Sequence, residues 1–179
     1  MSQHEYIFIA VSIILGLALT RLLHTMGMIV RSHEQVVFHW APITWALSVL
    51  VFILQLWWIG WGLRSIDEWQ FLDFMVLVFG SIFLYGAAEL ALSPPESESL
   101  HLLDESRRLG RLSALSMLMY FLVGPYVNIF MYGYGVLPSI TVPSVGIGLM
   151  VSTILVPEKF PMWAILFAAY SVFILALTI

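Results

Sequence analysis

Along the chain, apolar residues form long uninterrupted runs, and polar residues gather in short clusters between them. The runs do not alternate with period two, so they do not read as half-buried strands or as the strands of a membrane barrel. Six runs reach the roughly 17–25 residues that a helix needs to cross a hydrocarbon core. They cover 6–30, 42–63, 71–92, 112–132, 140–156 and 162–178. The pattern predicts an all-α fold: a polytopic transmembrane helix bundle of about six membrane-spanning helices, in a single domain over 1–179. Prolines stand where helices tolerate them or stop. Pro42 suits a first helical turn, and Ser93-Pro94-Pro95 closes the third run. Pro138, Pro157 and Pro161 bracket the fifth and sixth. The longest connector, 93–111, is charged and is expected in the cytoplasm, with a short interfacial helix around 100–103.

Composition agrees with this picture. The chain of 179 residues is 61% hydrophobic and 10% charged, with a mean hydropathy of +0.97. Soluble domains carry about 25% charged residues, so this surface needs lipid as part of its solvent. A net charge of -4 with few scattered cations leaves no nucleic-acid footprint. The absence of cysteine removes disulfides and thiolate chemistry. The opening MSQHEYIF lacks the basic start of a cleavable leader, so the first run is expected to stay as a membrane helix.

The cations set an orientation. Connectors after the first, third and fifth runs carry Arg31, Arg107, Arg108, Arg111 and Lys159, against Arg64 on the other side. These three connectors are therefore expected in the cytoplasm and both termini outside it. Trp57, Trp58, Trp61 and Trp69, with Tyr132 and Tyr134, would form the outer aromatic belt. Trp40, Trp45 and Trp163 would mark the inner one. Three runs flank each side of the long connector, an arrangement open to an inverted repeat, but the halves show no internal similarity, and the second has no counterpart of Thr20-Arg21.

The first run, ILGLALTRLLHTMGMIV, contains Arg21 and His24. Ser12, Gly16 and Thr20 are spaced by four, a ladder of small residues that lets another backbone come close. This predicts a central helix with a tight-packing face and a cationic edge beside it. Arg21 lies roughly 13 Å before the end of its run, where an arginine costs about 2.5–3.5 kcal/mol to insert. It needs a partner. Glu89, in YGAAELAL, is the acidic residue set well inside an apolar run, at a matching depth. An Arg21–Glu89 pair is therefore expected, either fixing helix register or lining a cavity. His24 would join it; bis-histidine haem would need a second histidine inside another run, so no cofactor is expected. Gln55 and Asn128 are further mid-membrane polar side chains suited to interhelical hydrogen bonds, with Tyr85 and Tyr120 placed to join them. Gly124-Pro125 predicts a kink before Asn128. Ser144, Gly148 and Ser152 repeat the small-residue ladder in the fifth run.

No HExxH, GxSxG, paired membrane aspartates or glycine-rich phosphate loop is present, and the chain reads as a non-enzyme without a metal site. The segments SIILGLALTRLLHTMG and WALSVLVFILQLWWIGWGLR, continuing through YGAAELALSPP, resemble a widespread, uncharacterised group of small bacterial multi-pass integral membrane proteins. The resemblance covers the first half of the chain. It implies a bacterial inner membrane and carries no activity with it. The function expected is that of a non-enzymatic membrane component, a partner subunit or a bundle binding a small or lipidic ligand. The alternative is a small channel or transporter that uses the Arg21 and Glu89 region. Expected partners are the lipid bilayer and either further copies of the chain or another membrane protein, with no nucleic acid.

Overall fold

The computed structural model describes residues 2–66, 68–95 and 100–178. Among the described residues six α-helices follow one another: α1 (Gln3–Arg31), α2 (Trp40–Gly62), α3 (Phe71–Glu89), α4 (Leu102–Tyr126), α5 (Val136–Leu155) and α6 (Phe160–Thr178). Each is long and apolar enough to cross a membrane, and the protein is a multi-pass membrane protein built as a helix bundle. The helix starts have local causes. Ser2 caps α1 in a reciprocal box: its hydroxyl accepts from the Glu5 N–H, and its own N–H donates to Glu5 Oε2 at 2.8 Å. At α2, His39 Nδ1 accepts from the Ala41 N–H, and Pro42 lies in the first turn. Gly133, at φ +68, makes the left-handed turn that separates α4 from α5.

Two short strands, β1 (Val36–Val37) and β2 (Leu100–His101), pair in parallel and tie the first connector to the third. The turn at Pro157–Lys159 reaches the same end, where Phe160 packs against Gly110 of α4. The opposite end gathers both termini. A ring nitrogen of His4 shares a hydrogen bond with the Gly60 carbonyl at 2.9 Å, and Gln55 Nε2 donates to Thr178 Oγ1 at 2.9 Å.

Several expectations need correction. The fourth helix begins at Leu102, ten residues before the expected 112, so residues 102 and 103 belong to α4 and not to a separate interfacial helix. Its opening turns bury Leu102, Ser106, Gly110, Ser113 and Ala114 along one face while Asp104, Arg107, Arg108 and Arg111 face out. Such an amphipathic start is too charged to register as an apolar run. The third helix stops at Glu89, three residues early. Residues 96–99 of the expected connector lie outside the described residues.

α1 is peripheral, and α2 is central. Half of the most apolar stretch of α2 is buried, against 28% for α1. The buried stripe of α1 is Val11, Leu15, Ala18, Leu22 and Thr25. Ser12, Gly16 and Thr20 fall outside it, and a Cβ on Gly16 would meet nothing within 4 Å. Thr20 donates to its own Gly16 carbonyl at 2.8 Å, which satisfies the hydroxyl without a neighbouring helix. Ser144 and Gly148 on α5 likewise face outward, and a Cβ on Gly148 would meet nothing either. Neither ladder packs within the bundle.

Trp45 does not anchor an interface. It is fully buried, with its ring centroid 5.3 Å from that of Phe160 and 4.6 Å from that of Phe167. Its Nε1–H donates to Ser113 Oγ at 2.9 Å, and Ser113 donates to the Ala87 carbonyl at 2.9 Å. This relay joins α2, α4 and α3 and leaves no polar atom of its own unpaired.

Candidate functional site

The polar residues singled out in the sequence fall into two separate places. Arg21 and Glu89 meet on the seam between α1 and α3, with Nε 2.7 Å from Oε2. The Nε–H is not aimed along that line, so the contact is an ion pair and not a formed hydrogen bond. The pair is not buried as expected: the side chains remain 34% and 36% exposed. His24 is exposed on the same edge of α1. Arg21 and His24 sit on the flank of α1, and Glu89 is the last residue of α3, the helix packed beside it.

Gln55 and Asn128 lie elsewhere, in a cavity of about 470 Å³ between α2, α4, α5 and α6 that runs toward the end holding both termini. Its floor is aromatic. Phe52, Tyr120, Phe121 and Tyr170 pack ring against ring, with Phe52 and Phe121 centroids 5.1 Å apart and those of Phe121 and Tyr170 5.6 Å apart. Trp58, Trp61 and Tyr134 are exposed and form the rim.

Small residues let these helices leave a cavity without losing contact. A Cβ on Gly146 would stand 2.9 Å from the Phe121 ring and 3.0 Å from the Tyr170 ring, so only glycine fits there. The last turn of α4 opens into a π-turn at Val127–Met131, where the Tyr132 N–H reaches the Val127 carbonyl at 3.0 Å. Pro125, inside α4, has no N–H to continue the α-helical ladder. The wider turn carries Asn128 on the cavity wall. π-turns of this kind recur at functional sites.

The cavity is mostly apolar, with a few polar groups and no charged ones: no Asp, Glu, Lys, Arg or His lines it among the described residues. Tyr170 Oη donates to the Val142 carbonyl at 3.0 Å, and Tyr132 Oη to the Ile59 carbonyl at 2.7 Å. Burial, and then the neighbouring Tyr134, push the Tyr132 hydroxyl up to about 12. Three groups retain hydrogen-bonding capacity. Gln55, 7% exposed, uses its Nε2 on Thr178 and leaves Oε1 unbonded; the Tyr120 hydroxyl and the Asn128 amide have no side-chain hydrogen bond among the described residues. A molecule held here would be apolar in its body, uncharged, and able to hydrogen-bond at one end.

Gln55 and Asn128 were legible as membrane-depth polar residues, whereas the cavity was not. Tyr170 carried no signal as one tyrosine in an apolar run, because the aromatic floor assembles from three different helices. The hint available was the cluster of Gly124, Pro125 and Asn128. Among the described residues no group of three or more His, Asp or Glu is placed to hold a metal. Comparison of the chain with family models, curated proteins and solved structures finds no match.

Proposed function

We propose that this protein is a non-enzymatic component of a bacterial inner membrane that binds an uncharged amphiphile in the cavity between α2, α4, α5 and α6. The observation that carries the reading is the cavity itself. Its volume of about 470 Å³ lies within the roughly 300–1,000 Å³ usual for small-molecule sites. An aromatic floor accepts an apolar body, and Gln55 Oε1, Tyr120 Oη and the Asn128 amide would hold a neutral head. A charged ligand would be left without a counter-ion there. With the cation-rich end in the cytoplasm, the termini and the cavity mouth belong to the extracytoplasmic side.

The channel or transporter reading rests on Arg21 and Glu89. Neither residue lines the cavity, so the site that could hold a cargo and the charged pair are separate, which favours binding over transport.

Native mass spectrometry of protein extracted from its own membranes tests the proposal. A neutral lipid adduct is expected on the wild type. Val142→Trp, which fills the cavity, should remove it, and Gln55→Leu should weaken retention about tenfold, the effect of one lost hydrogen bond. An adduct that survives filling of the cavity, or no adduct on the folded wild type, overturns the reading.

A further inference from the structure

We propose that the seam between α1 and α3 is the contact surface for a second copy of this chain, lying parallel in the same membrane, in which the two copies exchange ion pairs between Arg21 and Glu89. The starting observation is that the pair faces outward. In a membrane-spanning bundle an outward face meets lipid, where charged groups are rare and costly. Yet Arg21 and Glu89 are about one-third exposed, His24 is exposed one turn along α1, and Tyr85 is 36% exposed one turn back along α3.

The bonding along this edge is unfinished. Arg21 Nε is buried and faces Glu89 Oε2 at 2.7 Å without a formed hydrogen bond. The terminal guanidinium nitrogens, Glu89 Oε1, the His24 ring and the Tyr85 hydroxyl make no hydrogen bond among the described residues. An arginine can take two carboxylates through its fork, and a carboxylate can accept from two arginines.

Charge decides what fits. An anion, such as a lipid phosphate, would meet the exposed carboxylate of Glu89; a cation would meet Arg21. A surface that satisfies both must carry both signs at the same depth. A second copy does so by symmetry. About a two-fold axis along the membrane normal, Arg21 of one protomer faces the partner's Glu89 at equal depth, and the reverse. Four charges then alternate in sign around the axis, and each guanidinium gains a second acceptor. Leu17, one turn before Arg21, and Ile82, two turns before Glu89, are 57% and 43% exposed and supply apolar packing. The surface lies away from the cavity, so the proposal stands apart from the ligand reading.

The chain has no cysteine, so a single introduced thiol reports on one position. Oxidative cross-linking in native membranes should trap a dimer through Leu17→Cys on the seam and not through Val172→Cys on α6, which is 63% exposed. In the Leu17→Cys background, Arg21→Glu alone or Glu89→Arg alone sets four like charges at the axis and should cut the cross-linked fraction about tenfold or more. Co-expressing the two should restore it as a mixed dimer. The cis swap, Arg21→Glu with Glu89→Arg, keeps the seam neutral and should cross-link like the parent, a control that stands even if a single reversal fails to fold. Equal cross-linking at Val172, none at Leu17 in folded protein, or loss of the cross-link in a folded cis swap overturns the proposal. So does an anionic lipid retained at the seam in place of a dimer.

Discussion

Arg21 is tolerated inside an apolar run because Glu89 stands 2.7 Å away. Removing one partner strands the other, at a cost of roughly 3–5 kcal/mol when a pair is fully buried. This pair is partly open, so Arg21→Met and Glu89→Gln should each lower stability by about 1–3 kcal/mol, below the buried limit. The double change should recover much of that loss, and thermal melts of all four proteins in one detergent measure the coupling. Simple addition of the two losses would mean that the charges are satisfied independently. This pair was legible because the apolar runs offer Arg21 so few acidic choices at its depth. Its exposure was not, since a helix-by-helix reading cannot tell which edge of α1 meets the core. Tyr132 supports a second prediction at this scale. Its hydroxyl, pushed up to about 12 by burial and Tyr134, donates to the Ile59 carbonyl at 2.7 Å. A raised folded value means that the contribution is present below the ordinary tyrosine value near 10 and is lost as pH rises through the folded one. Tyr132→Phe should therefore cost about 0.5–1.5 kcal/mol at neutral pH. The gap between the two melting temperatures should close as pH climbs from 10 toward 12; a gap that stays constant would mean that the hydroxyl titrates alike in the folded and unfolded chain.

At the scale of the helix, glycine separates packing that matters from packing that does not. A Cβ on Gly146 would press on the rings of Phe121 and Tyr170, whereas one on Gly16 would meet nothing. Gly146→Val should therefore destabilise the bundle by about 1–3 kcal/mol, as overpacking does, and should also disturb the cavity floor. Gly16→Leu should leave the melting temperature of detergent-solubilised protein unchanged. Equal losses at both positions would place α1's outer face inside the bundle after all. The small-residue ladder on α1 misleads when read from spacing alone: the same residues satisfy a close helix contact and, with Thr20 bonded back to Gly16, a lipid-facing surface. Helix existence was readable because each span needs an apolar run. The start of α4 was not, because its first turns leave the apolar layer. There Asp104 and Glu105 sit where the helix dipole favours acids, and each pairs with an arginine three residues on. A window that searches for apolar residues passes over such a helix start, although its spacing of Leu102, Ser106 and Gly110 follows the helical period.

For the whole molecule, the fold fixes which parts share an end but not which end faces the cytoplasm. The parallel pairing of Val36–Val37 with Leu100–His101 holds the first and third connectors together, and Phe160 against Gly110 brings the fifth to them. His4 on Gly60 and Gln55 on Thr178 hold both termini at the other end. Absolute orientation comes from charge. Arg31, Arg107, Arg108, Arg111 and Lys159 lie at the connector end, whereas Arg64, stacked 4.1 Å over the Trp61 ring, lies at the terminal end. If the positive loops are retained in the cytoplasm, Ser2 is expected outside and Glu158 inside. Ser2→Cys and Glu158→Cys test this in a chain that has no other thiol, and both positions are exposed. A membrane-impermeant maleimide added to spheroplasts should label Ser2→Cys at once and Glu158→Cys only after the membrane is opened. Labelling of both from outside would contradict the alternation of six crossings. The reverse pattern would keep the bundle and invert its orientation, moving the cavity mouth to the cytoplasm and the exposed Arg21–Glu89 seam to the outer half of the bilayer.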